Sequence, residues 1–414
     1  MERFRQSIKV LRNLALLFLS LLVLFTASLT LVHCIPNRYI EPRVTASLKT
    51  IKNEGNYPEM FFGTDASQLD NFTDRLMLGK TLKERSNPLT AAMDVNHYSR
   101  YWHGYLVFLR PLLLGFQYVD IRYINMFIFF LLLFFSAYRL KQRAGWPTAL
   151  IYLCSIIAGF TLIVPMSMQF MSVFVIMMLG VIAVCRFDRR GKSSLIYLFF
   201  LIGAFTSFMD LLTAPLLTFG VPMLIALILR LKRRAQGQLA DNLLFTIRNG
   251  VCWGAGYFLT WAAKWGLATI ILRRNVFAEA QDSINFRTQG SADYPLNMQE
   301  MFQFNFEYMF PTKLLMILSV VLIVWVIVML FASKPLKELA NLLPIVLVGA
   351  LPYAWFTVLS NHSQIHCWFT YRIQIITLFA FLFILYFGIN QKKLANRCGK
   401  VLALFKKERK EDAS

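Results

Sequence analysis

Charge is what this sequence has least of: 16% of its 414 residues are Asp, Glu, Lys or Arg, against 57% hydrophobic ones. A soluble domain needs far more charge than this to cover its surface, so most of the chain cannot be one. Acids are the scarcer sign, 22 against 43 Lys and Arg, for a formal net charge of +21. The six cysteines are scattered, with neither CxxC nor zinc spacing. Cys154, Cys185 and Cys252 fall in or at the ends of apolar runs and Cys398 in the basic tail, which leaves Cys34 and Cys367 as the one pair able to meet. Thiols that merely fill space are the better reading. There is no glycine-rich phosphate loop, no internal repeat and no heptad array, which excludes a P-loop nucleotide site, a repeat architecture and a coiled coil.

What the chain has instead is long apolar runs. Ten of them, near 14–33, 119–138, 147–165, 167–185, 194–210, 212–229, 250–271, 313–332, 340–360 and 373–389, approach the length that crosses a hydrocarbon core of about 30 Å. The first is too long, and too plainly continued by others, to be a cleaved signal peptide. Basic clusters alternate with these runs: Arg3/Arg5/Lys9/Arg12, Arg139/Lys141/Arg143, Arg186/Arg189/Arg190/Lys192, Arg230/Lys232/Arg233/Arg234, Lys334/Lys337 and the tail from Lys392 to Lys410. All land on one side, which the positive-inside rule makes cytoplasmic together with both termini. The expectation is an all-α polytopic membrane protein of the plasma membrane, a single membrane domain over 1–414 with about ten transmembrane helices. It carries extracytoplasmic loops at 34–104 and 272–312 and a basic cytoplasmic tail at 390–414. Short juxtamembrane clusters of this kind suit anionic lipid head groups rather than nucleic acid.

The loop after the first span is too long for a connector and holds the acids Glu41, Asp65, Asp70 and Asp74. Val44, Leu48 and Ile51 recur at helical spacing, which predicts a surface helix over 41–54 resting on the outer leaflet. A following helix, capped by Thr64 or Asp65, would turn Leu69, Phe72 and Leu76 down and set Asp70 and Asp74 on one face. Two like charges on one face are unfavourable unless a cation, a metal or a function offsets them. Loop carboxylates are commonly solvated or capping residues. Three of them in ten residues just above a bilayer are a candidate group for general-base chemistry, Asp70 first and then Asp74. Asn71-Phe-Thr73 and Asn361-His-Ser363 match the N-glycosylation sequon, a pattern common by chance.

Cations gather on the same side. Arg100 and Arg110 flank Trp102-His103-Gly104-Tyr105, Arg122 stands at the start of the second span, and Arg273 and Arg274 follow the seventh. All five histidines fall at or beyond this boundary. His362 and His366, four apart, would share a helical face, and Arg372 close by is suited to holding phosphate bidentately. No acid adjoins the two histidines, so no metal set is assigned, and whether a divalent metal assists is left open. Two charges interrupt the spans themselves, Asp210 and Lys264. Such charges face a cavity or each other, so either they pair or Lys264 meets a lipid phosphate.

A first span, a long acid-bearing outer loop with surface helices, and a second large outer loop after the seventh span together resemble the GT-C superfamily of membrane glycosyltransferases. The likeness covers the whole chain, with 34–104 and 273–312 in the places of the two loops, and is one of layout rather than of a diagnostic motif. Only Glu41 lies as soon after the first span as that family's acid, so the base is Glu41, Asp65, Asp70 or Asp74. The resemblance implies sugar transfer from a polyprenyl-phosphate donor to a glycan, lipid or protein acceptor by inverting displacement. Arg100, His103, Arg122, Lys264, Arg273, His362, His366, Arg372 and Asp210 would then contact lipid phosphate or substrate. A transporter or flippase of a lipid-linked saccharide, and a polysaccharide polymerase or ligase, remain as alternatives.

Overall fold

The computed structural model describes residues 2–61, 63–188, 192–233, 239–397 and 399, and the side chains of these except 2–4 and 192–194. The described residues are helical, with no strand among them. The chain opens with α1 (Glu2–His33), α2 (Asn37–Glu54), α3 (Asn71–Gly79), α4 (Pro88–Met93) and α5 (Leu106–Leu112). The body follows as α6 (Tyr118–Ala144), α7 (Trp146–Ala158), α8 (Met168–Phe187), α9 (Lys192–Met209), α10 (Leu217–Arg233) and α11 (Leu239–Leu272). After α12 (Val276–Gln289) and α13 (Met298–Met309) come α14 (Thr312–Ala332), α15 (Leu336–Leu339), α16 (Leu343–Val358), α17 (Ser360–Ile365), α18 (Cys367–Thr370) and α19 (Ile375–Gly388).

Six segments are long and apolar enough to cross a membrane: Arg5–His33, Tyr118–Ala144, Met168–Phe187, Thr312–Ala332, Leu336–Val358 and Cys367–Gly388. This is a membrane protein's pattern. Two further apolar helices, Trp146–Ala158 and Leu195–Met209, are shorter. Two of the ten expected runs are interrupted. The run over 147–165 is helical only to Ala158, because Phe160 turns left-handed at φ 51° and a 3-10 turn containing Pro165 follows. The run over 212–229 becomes helical at Leu217, since Leu212 lies at φ 71° and the backbone N–H of Thr213 is taken by the Asp210 carboxylate.

Inside the bundle α10 is apolar on every side and buried on every side, from Leu217 to Leu229. A helix of that kind belongs at the centre. The tightest crossing is between α9 and α11, where a Cβ on Gly203 would stand 2.1 Å from the Trp253 carbonyl oxygen and one on Gly256 2.1 Å from that of Phe200. Only glycine lets the two backbones approach so closely. At the opposite extreme, no residue in the apolar window of α14 is buried. Trp325 fastens its middle, donating to the Leu385 carbonyl at 2.8 Å.

The two ends of the bundle differ. At one end Asp188 accepts from Arg143 at 3.3 Å and from Arg233 at 2.5 Å, while Lys232 caps the Ala144 carbonyl. These contacts bring the C termini of α6, α8 and α10 together among basic residues. The other end carries α2 to α5, α12, α13, α17 and α18. There α2 buries Ile40, Val44, Ser47 and Ile51, and Ser47 Oγ accepts from the backbone N–H of Tyr118 at 2.9 Å. Cys34 and Cys367 are free thiols, as are Cys154, Cys185 and Cys252, while Cys398 lies outside the described residues. The basic tail is described only to residue 397 and at 399.

Candidate functional site

The acids of the first loop divide by burial. Asp70 caps α3: its Oδ1 accepts from the Thr73 N–H at 2.9 Å and its Oδ2 from the Thr73 hydroxyl at 3.0 Å. One turn later Asp74 is fully enclosed and caps a different helix, accepting from the N–H groups of Met168 and Gln169 at 3.1 Å each, at the start of α8. The Tyr118 hydroxyl donates to it as well. The two carboxylates share a face, and that face points inward while Phe72 and Leu76 are exposed. Burial drives the Asp74 carboxyl up to about 7 against the pull of these donors. Asp70 is raised too, by burial, with the Thr73 bonds opposing. Glu41 and Asp65 are exposed, on α2 and at the head of a 3-10 turn.

Most of the expected phosphate-binding cations are already engaged. Arg122 forks onto Glu54 at 2.7 and 2.8 Å and also reaches Asn71 Oδ1 and the Met166 carbonyl. Glu54 is pushed up by desolvation, but the bonds and charge of Arg122 outweigh this and its pKa is lowered. Lys264 does not pair with Asp210. Its Nζ donates to the Ala92 and Met93 carbonyls at 3.1 and 3.0 Å, where α4 ends. Asp210 for its part is occupied by the Thr213 N–H at 3.1 Å to both oxygens. Arg372 is buried and spends its donors on the Gly159, Ala66 and Trp368 carbonyls. Arg110 does the same with Val32 at 2.9 Å and Ile35 at 2.5 Å, beyond α1. Lys264, Arg110 and the Gly159 bond of Arg372 therefore fill helix C termini, where carbonyls lack intrahelical partners and the dipole favours a cation. Arg273 is exposed, at φ 54°.

Two cations differ. Lys80 and Arg100 both lie over the ring of Tyr98, at 4.7 and 4.1 Å from its centre. Neither forms an ion pair with a carboxylate among the described residues. Tyr98 stacks on Tyr101 at 5.6 Å, Trp261 meets Tyr101 edge-on at 5.8 Å, and His103 places Nε2 3.0 Å from the Tyr98 carbonyl. Arg100 Nε, His103 Nδ1, Tyr105 Oη and Trp261 Nε1 are buried with no hydrogen-bond partner among the described residues. Burial, with the charges of Lys80 and Lys264, holds His103 neutral. The backbone here is strained: Asn96, His97 and His103 all have φ between 49° and 61°. Strained backbone and unpartnered buried polar atoms mark functional sites more often than plain structure.

What holds this segment in place was not foreseen. Asp94, buried just ahead of it, accepts from Arg85, from Arg274 at 2.9 Å and from Ser99 at 2.7 Å. Desolvation raises its carboxyl, but Ser99 and Arg85 outweigh it and the pKa is lowered. Trp102 donates to the Thr260 carbonyl at 2.8 Å, and the Gly104 N–H to that of Phe208 at 2.9 Å. The sequence signal for Asp94 was its place four residues before Tyr98, and for Glu54 the end of the surface helix. Lys80 had none.

His362 and His366 do come together, ring centres 4.8 Å apart. His362 sits 2.8 Å from the Leu212 carbonyl through Nε2 and 2.6 Å from Arg287 through Nδ1. A carbonyl only accepts and a guanidinium only donates, so the imidazole carries its proton on Nε2 and is neutral. Burial and the Arg287 charge keep both histidines uncharged, His366 down to about 3. Trp368 stands 5.2 Å from His366 and 5.4 Å from Tyr57. Tyr57 in turn is within electrostatic range of Asp70, and Arg287 of Tyr101. The acids, the Tyr98–Tyr105 segment and the histidine pair thus adjoin at one end of the bundle. Both sequon asparagines are buried and bonded, Asn71 to Glu54, Gly55 and Arg122, Asn361 to the Phe286 carbonyl, so neither is open to modification. Among the described residues no three His, Cys, Asp or Glu side chains converge as a metal set.

Comparison with known proteins gives no match to a family model, to a curated protein or to a solved structure.

Proposed function

We propose that this protein is a membrane glycosyltransferase of the GT-C kind, moving a sugar from a polyprenyl-phosphate donor to a cell-envelope glycan, lipid or protein acceptor. The observation that carries the reading is Lys80 and Arg100, cations without an ion-paired acid among the described residues, amid Arg100 Nε, His103 Nδ1 and Tyr105 Oη, which have no hydrogen-bond partner among them either. Cations held without acids suit an anion, and spare donors and acceptors suit hydroxyls. In this reading α7, α9, α10 and α11 cross the bilayer with the six longer spans, ten in all. Both termini and the Asp188 end are then cytoplasmic, and the site is extracytoplasmic at the plasma membrane.

Asp70 is the base. Among the described residues the only bonds of its carboxylate are those of its own helix cap, which leaves lone pairs for an acceptor hydroxyl, and its raised pKa makes it the stronger proton acceptor. The hydroxyl gives its proton to Asp70 as its oxygen attacks the anomeric carbon, and the bond to the carrier phosphate breaks on the opposite side. Arg100 and Lys80 stabilise the departing phosphate. Asp74, saturated by three donors, positions the turn rather than reacting.

The test is transfer of label from a panel of polyprenyl-phosphate sugars in membranes holding the wild type, Asp70→Asn or Arg100→Ala. The expected losses are about 10²–10⁴-fold for Asp70→Asn and a raised donor KM for Arg100→Ala. Undiminished transfer by Asp70→Asn refutes the base. No transfer with any donor refutes the class and favours a transporter of lipid-linked saccharide.

A further inference from the structure

We infer that Tyr57, His366 and Trp368 form a second subsite, one that binds a neutral saccharide and receives the acceptor glycan. The inference rests on the transferase reading for the word acceptor, not for the sugar. The hairpin after α2 builds the site: Leu69 N–H bonds the Pro58 carbonyl at 3.0 Å, and the Ala66 carbonyl is taken by Tyr371 and Arg372 at 2.9 and 3.1 Å. Docked in this way, the hairpin brings Tyr57 edge-on to Trp368 and leaves it 42% exposed, so the site is open on that side. Deeper in, Trp368 Nε1 and His366 Nδ1 are buried and find no partner among the described residues.

Chemistry selects the ligand. Aromatic rings suit the C–H faces of a pyranose, and an indole N–H and an imidazole nitrogen satisfy its hydroxyls. Neither histidine carries a charge to hold an anion, and one Arg287 N–H is spent on His362. A cation is disfavoured because Arg287 lies so near. The cationic pole at Lys80 and Arg100 is a separate place, against Tyr98. Tyr57 lies 6.4 Å from the ring of Phe72, two residues after Asp70, so the subsite and the proposed base are neighbours.

The experiment uses the full chain in lipid nanodiscs and the methyl glycosides of glucose, galactose, rhamnose and N-acetylglucosamine, read by saturation-transfer difference NMR. Binding of at least one glycoside is expected, unchanged in Arg100→Ala and weakened about tenfold in Tyr57→Ala. Trp368→Phe, which keeps an aromatic ring, removes the N–H and weakens binding by a smaller factor. Tyr57 is exposed on the hairpin and Trp368 lies against the core, so folding of both variants is checked by an unchanged melting temperature. Binding equal to wild type in Tyr57→Ala and Trp368→Phe overturns the proposal, as does no binding by any glycoside. Loss in Arg100→Ala, with displacement by glucose 1-phosphate, overturns it by moving the sugar to the phosphate pole. Glycoside binding without transfer from any donor leaves the saccharide site standing and removes the transferase.

Discussion

Replacing Asp74 tests whether one carboxylate joins the first loop to the bundle. In Asp74→Ala the Gln169 N–H loses its acceptor inside a closed site, while the Met168 N–H keeps the Tyr118 hydroxyl and Tyr118 keeps the Met166 carbonyl, both at 3.2 Å. One orphaned buried donor makes a loss of about 1–3 kcal/mol. The pH dependence runs against this. A carboxyl raised from 3.8 to about 7 favours the fold fully below 3.8, and that contribution is lost as pH climbs through 7. At 1.36 kcal/mol per pKa unit it amounts to about 4 kcal/mol. The deficit of Asp74→Ala is therefore largest near pH 5 and shrinks toward pH 8. Asp74→Asn, which cannot ionise, loses the pH slope. Thermal unfolding followed by tryptophan fluorescence at pH 5, 6, 7 and 8, each variant against wild type, cancels the other titrating groups. An Asp74→Ala melting temperature equal to wild type, or an Asp74→Asn slope identical to it, would refute the account.

Three further tests separate structure from function. Lys264→Met leaves the Ala92 and Met93 carbonyls without their donor, so amide exchange over 88–105 should accelerate along with any loss of activity; lost transfer with unchanged exchange would return Lys264 to the phosphate. A double-mutant cycle of Glu54→Gln and Arg122→Met should give a coupling of about 2 kcal/mol, since the pair is forked and largely enclosed; a value below about 0.5 kcal/mol would make it an ordinary surface pair. Gly203→Ala should cost about 3 kcal/mol by forcing α9 from α11, whereas Gly266→Ala, where a Cβ meets nothing, should be neutral or stabilising in the same melting assay.

The apolar runs were legible because a helix in lipid must satisfy its own backbone, which imposes length and composition together. The breaks were not. Phe160 and Leu212 adopt left-handed backbone without being glycine, and besides the local turn from Asp210 to Thr213, Leu212 is held by a bond that its carbonyl accepts from His362 across 150 residues. The Asp70/Asp74 face was legible from spacing four apart, but its direction was not. That depends on the start of α8, some ninety residues on, being brought beneath it. Asp94 escaped for the same reason, since two of its three partners come from Arg85 and from Arg274 of a different loop.

Choosing cations by their side of the membrane did not distinguish those that close helix ends from those left over. Lys264, Arg110 and Arg372 all lie at the same end as the acids, and each donates to backbone carbonyls. A ligand phosphate could recruit them only by displacing those bonds and leaving buried carbonyls unpaired, at about 1–3 kcal/mol apiece. Lys80 and Arg100 carry no such penalty: their positions rest on the face of Tyr98, with one long bond from Lys80 to the Val95 carbonyl at 3.4 Å and one from Arg100 to the Tyr98 hydroxyl at 2.8 Å. Tyr98 holds the two charges near one another without neutralising either. An anion arriving there gains both charges and breaks little, so Tyr98→Leu should raise the donor KM while leaving the melting temperature nearly unchanged. A lower melting temperature with donor KM unchanged would mean that the ring serves only to pack the loop.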